Sequence, residues 1–197
     1  ESKFTVLESK QIKNTLSSGK PTRDIVYVKG QFGGEILHVF VNHWPSNYGG
    51  REQAIPKRAE TARFVREKVE KILNEDPKAE ILLMGDFNEG PNEQNIQYLS
   101  KDILINLMEP FIGKKGVGTY VYRGQDSLLD QFIASSGLLD DQGLKIEDNA
   151  VSILDLPKYR QQRGKYQHYP FRFWAGEKLL GGYSDHLAIS VEINLIQ

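Results

Sequence analysis

The stretch ILLMGDFNEGP, Ile81 to Pro91, constrains this chain more than any other. Four large apolar residues follow one another without alternation, so a strand here is apolar on both faces and needs cover on both. The run then stops at Gly85-Asp86-Phe87-Asn88. In extended geometry the side chains at i and i+2 share a side, so a sharp glycine turn can aim Asp86 and Asn88 into one crevice. The stretch therefore predicts an inner strand of a layered structure whose end presents a carboxylate and a carboxamide together.

The flanking sequence supplies the layers. Asp24 to Val28 reads as a strand, Gly33-Gly34 as a turn, and Ile36 to Val41 as the hairpin partner, ending at Asn42-His43-Trp44-Pro45-Ser46. From Pro56 to Asp76 the period becomes helical, with Ala62, Val65, Val69, Ile72 and Leu73 on one face. Pro77 stops that helix. A weaker helix spans Glu93 to Leu99, and Gly113 to Gly118 is a turn-rich loop. Strands are expected over Ser127 to Ser135, which carries Asp130, over Val151 to Leu154, and over Leu187 to Ile193. Strands alternating with helices argue an α/β domain, and 197 residues without repeat or linker argue a single one.

Charge and composition narrow the chemistry. A net charge of -1 provides no global basic footprint, so contact with a polyanion must be local. The absence of cysteine excludes disulfides, thiolate metal sites and cysteine nucleophiles, but assigns no compartment, cytoplasmic or secreted. No apolar run approaches the ~18 residues of a membrane-spanning helix.

Polar groups instead collect at strand ends: His43, Asp86 with Asn88, and Asp185-His186, with Asp130 inside a further strand. Oxygen ligands of this kind suit Mg²⁺. An imidazole beside such a centre can donate to phosphate oxygens or move protons near neutrality. Together they have the groups for metal-assisted hydrolysis of a phosphate ester. Singly they have bland readings, Asp86 as a turn residue, His43 as a hydrogen-bonded strand end, Arg23 as a solvated charge. Ser184-Asp185-His186 does not make a serine triad, because neighbours on a strand point to opposite sides.

The order NHWPS (42–46), GDFN (85–88), LLDQFIAS (128–135) and GGYSDH (181–186) resembles the endonuclease/exonuclease/phosphatase superfamily, the deoxyribonuclease I-like fold. The resemblance runs from Phe4 to Ile193 and implies a four-layer α/β sandwich with a cleft at one edge of two paired sheets. It implies that Asp86 orients or deprotonates the attacking water and contacts the metal, that Asn88 holds the scissile phosphate, and that Asp185 is the second acidic group near the metal. His186 is expected to contact phosphate, with Asp130 orienting it. His43 matches a second histidine of some branches, and Arg23 is expected to contact phosphate. The implied cofactor is Mg²⁺, with Mn²⁺ as an alternative.

One departure is large. Members open with an Asn-bearing strand, then a helix and a strand ending at a metal-binding Glu, and nothing here corresponds to them. Residue 1 is Glu, and Phe4 to Leu7 already reads as a strand. The expectation is that residues 1–197 are the carboxy-terminal portion of such a domain, incomplete at the amino terminus, with weak Mg²⁺ affinity and an unpaired sheet edge.

The resemblance leaves the substrate open. The segment from Pro157 to Lys178 holds six Lys/Arg against one Glu, interleaved with Tyr159, Tyr166, Tyr169, Phe171, Phe173 and Trp174. It suits a nucleic-acid strand, with aromatics for unpaired bases, and equally reads as an ordinary surface loop. A phosphatase or phosphodiesterase for a small or lipid phosphate ester fits the same core, as does an interaction domain that has lost the metal.

Overall fold

A computed structural model describes residues 4–196. The chain opens with an antiparallel meander, β1 (Thr5–Ile12), β2 (Ile25–Phe32) and β3 (Glu35–His43). Gly33 and Gly34, with φ of 62° and 101°, form the β2–β3 turn that the sequence predicts. The helix α1 (Arg51–Glu75) then crosses to β4 (Glu80–Asp86), which runs parallel to β3. After α2 (Gln94–Ser100) and β5 (Ile105–Asn106), a small hairpin of β6 (Tyr120–Tyr122) and β7 (Gln125–Ser127) leads into β8 (Asp130–Ala134). The rest is shorter: β9 (Leu144–Lys145), β10 (Val151–Ile153), β11 (Trp174–Ala175), β12 (Lys178–Leu179), β13 (Ile189–Val191) and β14 (Asn194–Leu195).

One mixed six-stranded sheet has the order β1-β2-β3-β4-β8-β5, and pairs β9–β14 and β10–β13 stand apart from it. The unbroken apolar run of β4 is explained by its position. Ile81 and Leu83 point toward α1 and α2, where Phe40, Ala62, Val65, Val69, Ile96 and Leu99 join them in one buried cluster. Leu82 faces the other way, into a cluster with Leu37, Phe132, Leu138 and Leu144 that is flanked by Val151, Ile153, Ile189 and Val191. Helices thus cover one face and the short strands the other, an α/β sandwich; the described residues form three layers of the four expected, with no α-helix outside the short strands.

Three elements differ from expectation. The first helix starts at Arg51 rather than Pro56, with Gly50 at its N-cap and no capping side chain. Glu52 and Pro56 are both exposed, so water can replace the amide that the proline lacks. The strand expected over 127–135 is broken into β7 and β8, because the amides of Leu129 and Asp130 go to the Thr119 hydroxyl rather than to a ladder. The closing strand shrinks from 187–193 to Ile189–Val191, since the Leu187 amide is taken by Thr119 O and that of Glu192 by Ala150 O. No helix among the described residues is long and apolar enough to cross a membrane.

Candidate active site

Strand register sets the site. His43 ends β3, Asp86 ends β4 and Asp130 begins β8, and the pairing places His43 opposite Asp86 and Asp86 opposite Asp130. Three candidate side chains from distant sequence positions therefore stand in one row on adjacent strands. His186 reaches the row from the carboxy-terminal segment, which is bridged to β6 through Tyr120, the two rings lying 4.8 Å apart. Its Nδ1 lies 2.6 Å from Asp130 Oδ2. At the other end of the row, His43 Nε2 lies 3.5 Å from Asp86 Oδ2, with the imidazole half-exposed.

The turn after β4 aims the carboxylate. Gly85 adopts φ 122°, and a Cβ there would meet Asn42 O at 2.1 Å, so only glycine fits between β4 and β3. Asn88, at φ 53°, holds a left-handed conformation that asparagine tolerates. Its backbone amide donates to Asp86 Oδ1 at 2.8 Å, and its side-chain amide to Asp86 Oδ2 at 3.1 Å and Trp44 O at 3.0 Å. Asn88 thus orients Asp86 and ties the GDFN turn to the segment after His43, as does the amide of Trp44 donating to Asp86 O.

Behind this row lies a layer that sequence reasoning missed. Arg58, fully buried on α1, donates to Glu89 Oε1 at 2.7 Å and to Pro45 O at 3.0 Å, clamping the loops that carry His43 and Asp86. Asn95 donates to the same Glu89 oxygen, and Gln131 donates to Glu89 O. Thr119 performs the equivalent task for the other half. Its hydroxyl accepts the Asp130 amide at 3.1 Å while its carbonyl accepts the Leu187 amide at 2.7 Å, which seats Asp130 and His186 together.

Electrostatics differentiate the members of the row. Burial pushes the Asp86 carboxyl upward, and the Asn88 amide and His186 pull it back without reversing the shift. Burial depresses His43, and the Arg23 charge adds to that effect against Asp86. Burial also opposes a charged His186, but the hydrogen bond and charge of Asp130 prevail and hold it above the ordinary imidazole range. Asp86 is therefore flanked by His186, whose proton affinity is raised, and His43, whose proton affinity is lowered.

Asp86, Asp130 and His186 each offer one donor atom, all within 4.8 Å of one another. The carboxylate oxygens fit a hard divalent cation. His186 is the poorer donor, because Nδ1 is engaged with Asp130 and its proton affinity is raised. Asp185 is exposed and lies outside this group, near enough for its charge to act on His186. Arg23 is exposed on the β2 side of His43. The aromatic and basic segment is attached on the His186 side: Phe171 O accepts the Tyr183 amide at 2.6 Å, and Tyr159 meets the Tyr183 ring edge-on at 5.1 Å. Phe173 and Trp174 are exposed there.

Known structures share this arrangement of elements. Truncated TDP2 of Caenorhabditis elegans superposes with a TM-score of 0.61 at 21% identity over 94% of this chain, which spans only 64% of that one. A mannosyl-6-phosphatase of Bacteroides thetaiotaomicron gives 0.61 at 20% identity, over 98% of this chain and 68% of its own. TDP2 of D. rerio, solved with a single-strand DNA product, gives 0.61 at 17% identity, over 97% and 68%. These likenesses establish the deoxyribonuclease I-like fold. No curated protein matches by sequence. The profile described as "Endonuclease/Exonuclease/phosphatase family" matches residues 1–195. The chain belongs to the endonuclease/exonuclease/phosphatase family.

Proposed function

We propose that the protein is a divalent-cation-dependent phosphoesterase, endonuclease-like, that hydrolyses phosphodiester bonds by in-line attack of water on phosphorus. The observation that carries this reading is the row of His43, Asp86 and Asp130 on three neighbouring strand ends, with His186 bonded to Asp130. Asp86 accepts the proton of the attacking water, and its burial raises the proton affinity that this task requires. His186, with Nδ1 turned to Asp130, donates through Nε2 to a non-bridging oxygen, where charge builds up in the transition state. His43 donates to a second oxygen from the other side of Asp86. Asn88 now donates to Asp86 Oδ2, and a phosphate oxygen entering beside Asp86 takes over that bond. Arg23 lies where it can contact the substrate beyond His43. Asp86 and Asp130, whose oxygens lie in one group, would hold Mg²⁺ or Mn²⁺, which when bound would stabilise charge on the phosphoryl and leaving oxygens.

The exposed aromatics and cations of residues 157–178 favour a nucleic-acid strand with unpaired bases. The single-strand DNA product bound by D. rerio TDP2 supports the same choice. A small phosphate ester is the second reading, favoured by the near-neutral net charge of -1. The test compares a single-stranded oligonucleotide, plasmid DNA and a small phosphodiester with the whole protein in Mg²⁺ and in EDTA. EDTA-sensitive cleavage of DNA is expected. Cleavage of the small ester alone selects the second reading, and inertness toward all three overturns both in favour of a binding module.

A further inference from the structure

On the β2 side of His43, opposite the side that carries Asp86 and His186, a cavity of about 570 Å³ opens. Its walls come from the loop before β2, the loop after β3 and the early turns of α1. Lys20, Arg23 and Lys57 line it, with Glu60 as the single carboxylate. Glu60 is already engaged: it accepts the Ser17 amide at 2.6 Å and the Ser17 hydroxyl at 3.0 Å. Among the described residues none of the three cations has an ion-pair partner. The cavity is therefore a concave, positively charged space adjoining one end of the candidate catalytic row.

Its walls are fixed by the same contacts that build the row. Pro45 and Ser46 follow directly on His43 and Trp44, and Arg58 holds Pro45 O and Asn47 Oδ1, each at 3.0 Å. On the opposite wall the turn over residues 16–20 is closed by the Leu16 amide on Lys20 O, and Thr15 bridges Pro21. The ring of Tyr48, at 93% exposure, stands at the rim.

We propose that this cavity is a second-phosphate subsite: Lys20, Arg23 and Lys57 bind a phosphate that the substrate carries next to the one held by His43. Three exposed cations lining one cavity, none with an ion-pair partner among the described residues, suit an anion with several acceptor oxygens. The Tyr48 ring offers a stacking face for whatever links the two phosphates. The inference rests on the phosphoesterase reading and sharpens it, since it selects substrates with at least two phosphates over monophosphate esters.

The test is product binding in EDTA, which needs no turnover. Calorimetry compares thymidine 3′,5′-bisphosphate with thymidine 5′-monophosphate, and inositol 1,4-bisphosphate with inositol 1-phosphate. At least one bisphosphate is expected to bind about tenfold or more tightly than its monophosphate, and which one does so identifies the source of the second phosphate. The pair Lys20→Ala with Lys57→Ala should bring that ratio close to one, while Lys57→Arg should retain it. Equal or undetectable binding of mono- and bisphosphates overturns the subsite, as does a preference that survives the double substitution. Failure of the hydrolase reading looks different: no ester is turned over, yet the bisphosphate preference and its loss in the double variant remain.

Discussion

Arg58 and Glu89 face each other across 2.7 Å, Nε to Oε1, with both side chains sealed from solvent. The pair joins α1 to the residue after Asn88, while the same guanidinium holds the loop after His43. Among the described residues Arg58 Nη2 and Glu89 Oε2 have no partner, so the pair is incompletely satisfied as well as buried. Its role is therefore positional more than stabilising. Glu89→Ala leaves a buried guanidinium uncompensated and should cost about 3–5 kcal/mol in urea unfolding, whereas Arg58→Met with Glu89→Leu should cost less. A loss below ~1 kcal/mol for Glu89→Ala would contradict the geometry.

Gly85 makes a second structural prediction. Its φ of 122° and the approach of Asn42 O leave no room for a methyl group. Gly85→Ala should destabilise by at least ~2 kcal/mol and displace Asp86 from His43, lowering activity beyond what the stability loss explains. Unchanged melting and turnover would refute the close approach.

Asp130 sets the proton affinity of His186. Asp130→Asn removes the charge that outweighs burial, so His186 should lose its proton at lower pH than in the unaltered protein. Histidine NMR in metal-free protein reads this directly, and turnover should fall by about 10²–10⁴-fold. A His186 titration that stays in place would assign its proton to another partner.

Glu80 predicts a pH dependence far from the candidate site. It is 8% exposed at the start of β4, its Oε1 accepts the Leu144 amide, and its Oε2 has no partner among the described residues. Burial raises its carboxyl from 4.5 to about 7, with Glu35, Asp140 and Asp76 pushing the same way and the Leu144 amide against. Below 4.5 both states hold the proton; between 4.5 and about 7 the unfolded chain has released it and the folded chain has not. Stability therefore falls as pH rises through that window and levels off above it. Glu80→Gln keeps the acceptor for Leu144, so its urea midpoint should lose this slope. At pH 8 it should exceed the unaltered protein by on the order of 2 kcal/mol. Parallel midpoint curves for the two proteins across pH 5 to 8 would remove Glu80 as the cause.

What the sequence reveals depends on whether a role leaves a periodic or positional trace. The run Ile81–Met84 identifies an inner strand because burial on both faces permits no polar residue. Gly33-Gly34 marks the hairpin because few other residues take those angles. The start of α1 is hidden, because Gly50 caps it without a side chain and Pro56 reads as a first-turn proline although it lies inside the helix. Arg58, Glu89, Gln131 and Thr119 are hidden for another reason. Polar residues on a helix, a strand or a loop look solvent-facing until tertiary contacts bury them, and all four are buried here. His43, Asp86, Asp130 and His186 were legible as candidates, but their meeting depends on the β3-β4-β8 register, which no local pattern encodes.

The proposed function rests on the row of His43, Asp86, Asp130 and His186. Its most direct test is the turnover of Asp86→Ala in the whole protein with Mg²⁺, on whichever ester the unaltered protein cleaves, with folding checked by urea midpoint. Turnover should fall at least about 10²-fold with the fold retained. Turnover within about twofold of the unaltered protein would contradict the proposed function.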